Sequence, residues 1–310
     1  MTNWRENKIR FLSTVAVIFL AGGFVGWLLK NRQISVASIA PNQIRADIKA
    51  YQFINPLLFA NNDKDTSPDL NVLVRGLNKS ISKSLTDGDA SSVSVYFRDL
   101  NTGRWTGINE DDTYTPVSML KVVVLMAALK IAETNPDFLQ KKIYYKPDDS
   151  TKFYRPNDKV SAGYYSVQDL VNSMIIYSDN ASSAALMEDK EINNTFGLVY
   201  TIFRLPSFKS ATSTDFMSVK SYSSVFRALY NSTLFQWNLS EQALDFLSKT
   251  DFMDGIVAGV PSGTKVSHKF GETGALQGAD KTVIHELHDC GIIYYSTHPY
   301  LLCVMTRGKD

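Results

Sequence analysis

Apolar residues recur along this chain at three spacings, and each spacing predicts a different element. The first is unbroken: residues 11–29 contain no charged side chain, and as a helix rising 1.5 Å per residue they reach roughly 28 Å, enough to cross a hydrocarbon core. The second has a helical period, with Leu70, Leu73, Leu77, Ile81 and Leu85 on one face of residues 69–85, which predicts an amphipathic helix that Asp87-Gly-Asp ends. In the third, apolar and polar residues alternate: Val93, Val95 and Phe97 within 92–100, then Asn101-Thr-Gly103, then a return over 104–109. That is the pattern of a β-hairpin.

A second continuous apolar run, 122–129, follows Tyr114-Thr-Pro-Val-Ser118-Met-Leu-Lys121. The Thr115 hydroxyl suits a helix cap and Pro116 the first helical position, so a buried helix is expected from here to about residue 134, where Asn135-Pro136 breaks it. Residues 141–165 read as loop. Ser166-Val-Gln-Asp169 reads as a capping box opening a helix that carries Leu170, Met174 and Ile175 and ends at Tyr177-Ser178-Asp179-Asn180. A further helix is expected over 181–191, irregular chain over 196–216, helices over 219–230 and 240–247, and a turn-rich stretch over 252–262. Three consecutive strands follow, 265–273, 281–295 and 300–306. Strands flanking a helical block without regular alternation indicate an α+β fold with an antiparallel sheet.

The remaining composition narrows the function classes. With 310 residues, 44% of them hydrophobic, the chain has ample material for a packed core. Its formal charge is +1, from 32 basic and 31 acidic residues, and no basic stripe interleaved with aromatics is present, which argues against a nucleic-acid partner. Arg5, Lys8 and Arg10 precede the run 11–29 and Lys30 and Arg32 follow it. This bias places the N-terminus in the cytoplasm and the rest outside, on the cell membrane as a single-pass protein. A cleaved signal peptide is the rival reading. The run is long for one, however, and the nearest small-x-Ala sites, ending at Ala37 and Ala40, lie well beyond it. The expected organisation is a cytoplasmic tip and anchor over 1–32, a juxtamembrane stalk over 33–68, and a domain over 69–310. The two cysteines, Cys290 and Cys303, fall on the strands of a hairpin and would face each other only in one register, so two buried free thiols are the favoured reading.

The chemistry concentrates at Ser118. In the first turn of a helix its hydroxyl lies among free backbone N–H groups at the positive end of the helix dipole. Lys121, three residues on, shares its face, and burial lowers an amine's pKa toward that of a base. Ser80-x-x-Lys83 and Ser262-x-x-Lys265 have the same spacing, but neither opens an apolar helix. Ser118-Met-Leu-Lys121 is followed 60 residues later by Ser178-Asp179-Asn180, and then by Lys269-Phe270-Gly271 on a late strand. This order resembles the S-x-x-K, S-D-N and K-T-G signatures of the serine β-lactamase and penicillin-binding protein superfamily, and its spacing resembles the class A β-lactamase branch over about residue 69 to the end.

The resemblance implies a β-lactamase-like fold, with a helical lobe over about 118–250 and a cleft between lobe and sheet. It implies Ser118 as acylated nucleophile, Lys121 as its base or proton relay, and Ser178 as proton donor to the leaving nitrogen. Asn180 would bind the substrate amide and Lys269 would keep the cleft positive. Gly271 completes the lysine triplet, and the backbone N–H groups of Ser118 and Glu272 would form the oxyanion hole. The substrate would be a β-lactam or a cell-wall peptide amide, with no metal or organic cofactor. Three departures from the family pattern are present. Phe270 replaces the threonine whose hydroxyl meets a substrate carboxylate, although Thr273 has the strand parity of Lys269 and offers one. No glutamate lies between Glu191 and Glu241 to activate a deacylating water, and Asp215 is the only acid of the 196–216 loop. No segment corresponds to the family's C-terminal helix, so either the sequence is truncated or the 69–85 helix covers that sheet face alone. A serine hydrolase of a different amide or ester, and a binding protein that retains the fold without turnover, are the alternatives.

Other candidates are weaker. His285 and His288 point to opposite faces of a strand, which argues against a metal site. His268 either lines the cleft or is a satisfied structural histidine, the latter favoured. Tyr144, Tyr145, Phe153 and Tyr154 either wall the cleft or pack within a long loop. Asn193-Asn-Thr195 and Asn231-Ser-Thr233 match the glycosylation pattern, which means nothing in a bacterial host.

Overall fold

Strand pairing fixes the frame in which the three signatures meet. The computed structural model describes residues 51–56, 70–146, 160–206, 215–277 and 282–309, with backbone alone at 274–277, 282, 283 and 309. The chain divides into two units, Met1–Asp47 and Ile48–Asp310, and every described residue belongs to the second. The apolar run 11–29 and most of the stalk lie outside the described residues, among which no helix is long and apolar enough to cross a membrane.

Helix α1 (Asn71–Asp87) ends at Gly88, whose φ of 83° supplies the left-handed C-cap. Strands β1 (Ser92–Asp99) and β2 (Trp105–Ile108) form the expected hairpin. The C-terminal strands β7 (Lys265–Gln277), β8 (Thr282–Tyr294) and β9 (Tyr300–Lys309) join them in one antiparallel sheet of order β2-β1-β9-β8-β7, which leaves β7 at an edge. Strand β3 (Thr113–Tyr114) pairs with β6 (Met217–Ser218). The sheet thus brings the two ends of the domain together, as an α+β fold requires.

Helix α2 (Lys121–Ala132) is apolar on every side, and all of its residues but Lys130 are buried, as a helix without a polar face must be. Around it pack α3 (Val167–Ile176), α4 (Asn180–Glu188) and α5 (Lys190–Ile202), while α6 (Val219–Tyr230) and α7 (Trp237–Leu247) lie against β9 and β7. The capping box at Ser166 forms as read, its hydroxyl accepting from Asp169 N.

Several expectations are corrected. Ser118 lies in a 3₁₀ turn, Val117–Leu120, that precedes α2. Thr115 does not cap that helix, because its hydroxyl donates to Asp215 Oδ1 at 2.8 Å. Residues 190–202, read in part as irregular, form α5, whose N-cap Asp189 accepts from Glu191 N and Ile192 N. Part of the expected loop 141–165 is a hairpin of β4 (Lys142–Tyr145) and β5 (Gly163–Ser166). Helix α1 touches β2 but buries none of its residues, so it does not cover a sheet face alone. Cys290 and Cys303 are directly opposite in the β8–β9 register, with Cα atoms 4.0 Å apart, and form a disulfide rather than two thiols.

Residues 51–55, assigned above to the stalk, pack on the domain. Glu241 of α7 accepts the backbone N–H groups of Gln52, Phe53 and Ile54 at 2.6, 2.8 and 3.2 Å, and Phe53 and Ile54 are buried.

Candidate active site

The nucleophile candidate sits where three elements converge. Val117 has φ 47°, a conformation costly for a β-branched residue, and it turns the chain sharply into the Ser118 turn. Edge strand β7 runs along this turn. A Cβ on Gly271 would lie 3.1 Å from Pro116 O and 3.3 Å from Ser118 N, so a glycine there permits the approach. Ser118 is buried apart from a 6% exposure.

Ser178-Asp179-Asn180 forms the tight turn between α3 and α4. Asp179 caps α4 by accepting from Ser182 N and also accepts a hydrogen bond from Ser173 Oγ, which locks the turn; Ser178 takes φ 55°. Lys121 reaches this turn from the first residue of α2. Its Nζ donates to Ser178 O at 2.5 Å and to Asn180 Oδ1 at 2.6 Å, and lies 3.4 Å from Ser178 Oγ. From the other side Lys269 Nζ donates to Ser178 Oγ at 2.9 Å and to Phe270 O at 3.0 Å. The Ser178 hydroxyl therefore lies between two buried amines. A buried site with two amines around one hydroxyl favours proton movement, and an amine in its protonated form favours a developing negative charge.

Hydrogen bonds thus bring Lys121, Ser178, Asn180 and Lys269 together, and Gly271 lies beside the backbone of Ser118. Glu272 is exposed and Thr273 half-buried on the same strand. His268 is structural: its Nδ1 is 2.9 Å from Asp289 Oδ1, and Asp289 also accepts from Ile256 N. His285 is exposed and His288 buried, and the described residues hold no metal-binding cluster. Tyr145 is buried and Tyr144 packs against Tyr164 with the rings tilted and their centres 4.8 Å apart; Phe153 and Tyr154 lie outside the described residues.

Asp215, the one acid of its loop, is committed elsewhere: it accepts from Thr115 Oγ1 and pairs with Arg307 at 2.6 Å. Sequence reasoning missed the group to which it belongs, Asp215, Glu286, His288 and Arg307, because nothing in their spacing links them. Burial by itself pushes the Glu286 carboxyl up, but hydrogen bonds from His288 and Arg307 and the charge of Arg307 outweigh it and hold the carboxyl below the usual glutamate range. A carboxyl lowered in the folded state stabilises the protein above its unfolded pKa, about 4.3, and that stability is lost as pH falls through the folded value. Thermal unfolding from about pH 7 to about pH 3 should therefore fall more steeply for the wild type than for Glu286→Gln. Parallel curves would show that this carboxylate is not linked to folding.

The sequence matches the beta-lactamase enzyme family over residues 76–310. No curated protein matches it. Among solved structures, a β-lactamase from Desulfarculus baarsii superposes with a TM-score of 0.63 at 16% identity, over 76% of this chain and 90% of its own. The TLA-1 extended-spectrum β-lactamase gives 0.62 at 18% identity over the same shares. A mutant of PBP-A, in an acyl-enzyme complex with penicillin G, gives 0.62 at 16% identity over 76% of this chain and 88% of its own. At these identities the likeness is one of fold.

Proposed function

The chain belongs to the beta-lactamase enzyme family, and on that premise we propose that this serine hydrolase is acylated at Ser118 by a β-lactam or a cell-wall peptide amide. The observation that carries the reading is the Ser178 hydroxyl between Lys121 and Lys269, with Gly271 against the Ser118 turn. In this reaction Ser118 Oγ attacks the amide carbonyl as its proton passes to the amine form of Lys121. The new C–O bond gives an oxyanion that the N–H groups of Ser118 and Glu272 stabilise. The C–N bond then breaks as Ser178 protonates the leaving nitrogen, with the proton restored to Ser178 from Lys121. Asn180 orients the substrate amide, and Lys269 keeps the pocket positive.

Release of the acyl group is the slow step. A general base contributes about 10²- to 10⁴-fold, and Asp215, the acid nearest in sequence to that role, is held by Thr115 and Arg307. Incubation with a fluorescent penicillin should therefore give a covalent adduct on the peptide that contains Ser118, persisting long after free drug is removed. Rapid multiple turnover would refute the persistence. The run 11–29 supports an anchor in the cytoplasmic membrane with the domain outside, so the labelled protein should sediment with membranes and resist carbonate extraction; label in the soluble fraction would refute the anchor.

One observation favours a second reading. Lys269 is fully buried and its Nζ lies 4.1 Å from the centre of the Phe270 ring, which itself stacks on Phe252 at 4.1 Å. The ring occupies the approach to the ammonium and presents no hydroxyl, an arrangement suited to an amide or ester without a carboxylate at that place. Labelling by a fluorophosphonate and not by penicillin would select this reading, and labelling by neither would indicate a binding protein.

A further inference from the structure

Three side chains from distant parts of the sequence hold one residue, Thr115, on three of its polar atoms. Its backbone N–H donates to Glu286 Oε2 at 3.2 Å, its hydroxyl donates to Asp215 Oδ1 at 2.8 Å, and its carbonyl oxygen is 3.0 Å from His288 Nε2. A carbonyl only accepts, so Nε2 carries the proton. Nδ1 in turn accepts from Thr306 N at 3.3 Å, which makes the ring the neutral Nε2–H tautomer.

Arg307 ties the holders together: Nη2 lies 2.6 Å from both Asp215 Oδ2 and Glu286 Oε1, and Nε donates to Glu286 Oε1 at 2.9 Å. Its guanidinium also lies 5.1 Å from the ring of Tyr114, whose hydroxyl is within 2.7 Å of Ser92 Oγ and 3.0 Å of Ser94 Oγ. Glu286 and His288 are buried.

The position of the held residue gives the arrangement a purpose. Thr115 is three residues before Ser118, and between them Val117 takes its left-handed conformation. A strained backbone of this kind persists only where its surroundings over-determine it, and otherwise relaxes. Downstream the turn is already held, since Tyr222 OH donates to Met119 O at 2.7 Å. Upstream, the Thr115 contacts act at the residue that follows the β3–β6 pairing of Tyr114, and so hold the chain closest to Val117 on that side.

We infer that Asp215, Glu286 and His288, joined by Arg307, are positioning residues that hold Thr115 so that the Val117 strain is maintained and Ser118 is presented to the cleft. The inference rests on the reading of Ser118 as nucleophile for its kinetic consequence, but not for its structural one. It also makes the loop exit at Asp215 part of the nucleophile's support.

The test uses the full chain, with Thr115→Val, Thr115→Ser and Glu286→Gln beside the wild type, and measures saturating acylation by fluorescent penicillin and fluorophosphonate together with hydrogen exchange. Thr115→Val keeps the shape and removes one hydrogen bond. It and Glu286→Gln should lower the maximal acylation rate by up to about a hundredfold while the half-saturating concentration stays near that of the wild type, because misplacement of the nucleophile affects the step and not the encounter. Thr115→Ser should restore most of the rate lost in Thr115→Val. Exchange should quicken in the peptide covering 115–121 and not in α6. Unchanged acylation and unchanged exchange in both variants would overturn the inference. Faster exchange at 115–121 in a protein that neither probe labels would sustain the positioning and defeat the nucleophile reading, so the two fail separately.

Discussion

Replacing Lys121 with methionine should lower the rate of covalent labelling by about 10³- to 10⁴-fold, and Ser118→Ala should remove it. Methionine has nearly the length of lysine and fills the same buried channel, so the loss falls on the amine and not on packing. Ser178 O and Asn180 Oδ1 each lose the hydrogen bond from Lys121 in this variant, and loss of such a bond at a buried group costs about 1–3 kcal/mol. The melting temperature should therefore drop as well. Lys121→Arg separates the two possible duties of the residue: it keeps the positive charge and donors but never gives up its proton. If Lys121 is the base, arginine is as inactive as methionine while it recovers part of the stability. Stopped-flow labelling of Lys121→Arg within tenfold of the wild type would show that charge, not proton transfer, is what Ser118 needs.

The parts of the site legible in the sequence are those carried by short, local patterns. Ser118 and Lys121 share a helical face, Ser178-Asp179-Asn180 closes a helix, and Lys269 lies on the first strand of the late block, so the order of the three signatures was enough to expect them in one pocket. The convergence on Ser178 Oγ from two sides is a distance that no spacing contains. Thr115 shows the limit clearly: locally it is a good helix cap, yet a carboxylate 100 residues away takes its hydroxyl. Tertiary partners of this sort override a local preference worth about 1 kcal/mol. Helix α5 was legible in principle, from Ile192, Phe196 and Val199 at helical spacing, but Asn193-Asn-Thr195 and Gly197 obscured it. The pairing of Cys290 with Cys303 depended on register, which turns on a hairpin connection whose chemistry did not specify its length.

Gly271→Ala should lower acylation by about 10²- to 10³-fold with only a small change in melting temperature. The added Cβ would sit 3.1 Å from Pro116 O, 3.2 Å from Met119 Cγ and 3.3 Å from Ser118 N. The methionine can turn aside, but the other two are backbone atoms of a turn already held by Thr115 on one side and Tyr222 on the other. The strand must then withdraw by a few tenths of an ångström. Among the described strands β7 pairs with β8 alone and so has one edge without a ladder to oppose the shift, which is why the fold should tolerate the change. In the proposed reaction the N–H groups of Ser118 and Glu272 share one oxyanion, so withdrawal of β7 from the Ser118 turn would spread those donors. Charge stabilisation in the transition state is lost while ground-state binding through Asn180 remains, and the defect should fall on the maximal rate rather than on half-saturation. Gly259→Ala serves as the control, since a Cβ there meets nothing within 4 Å. If Gly271→Ala acylates as fast as this control, the oxyanion is not held between the Ser118 turn and β7, and the strand's close approach serves packing alone.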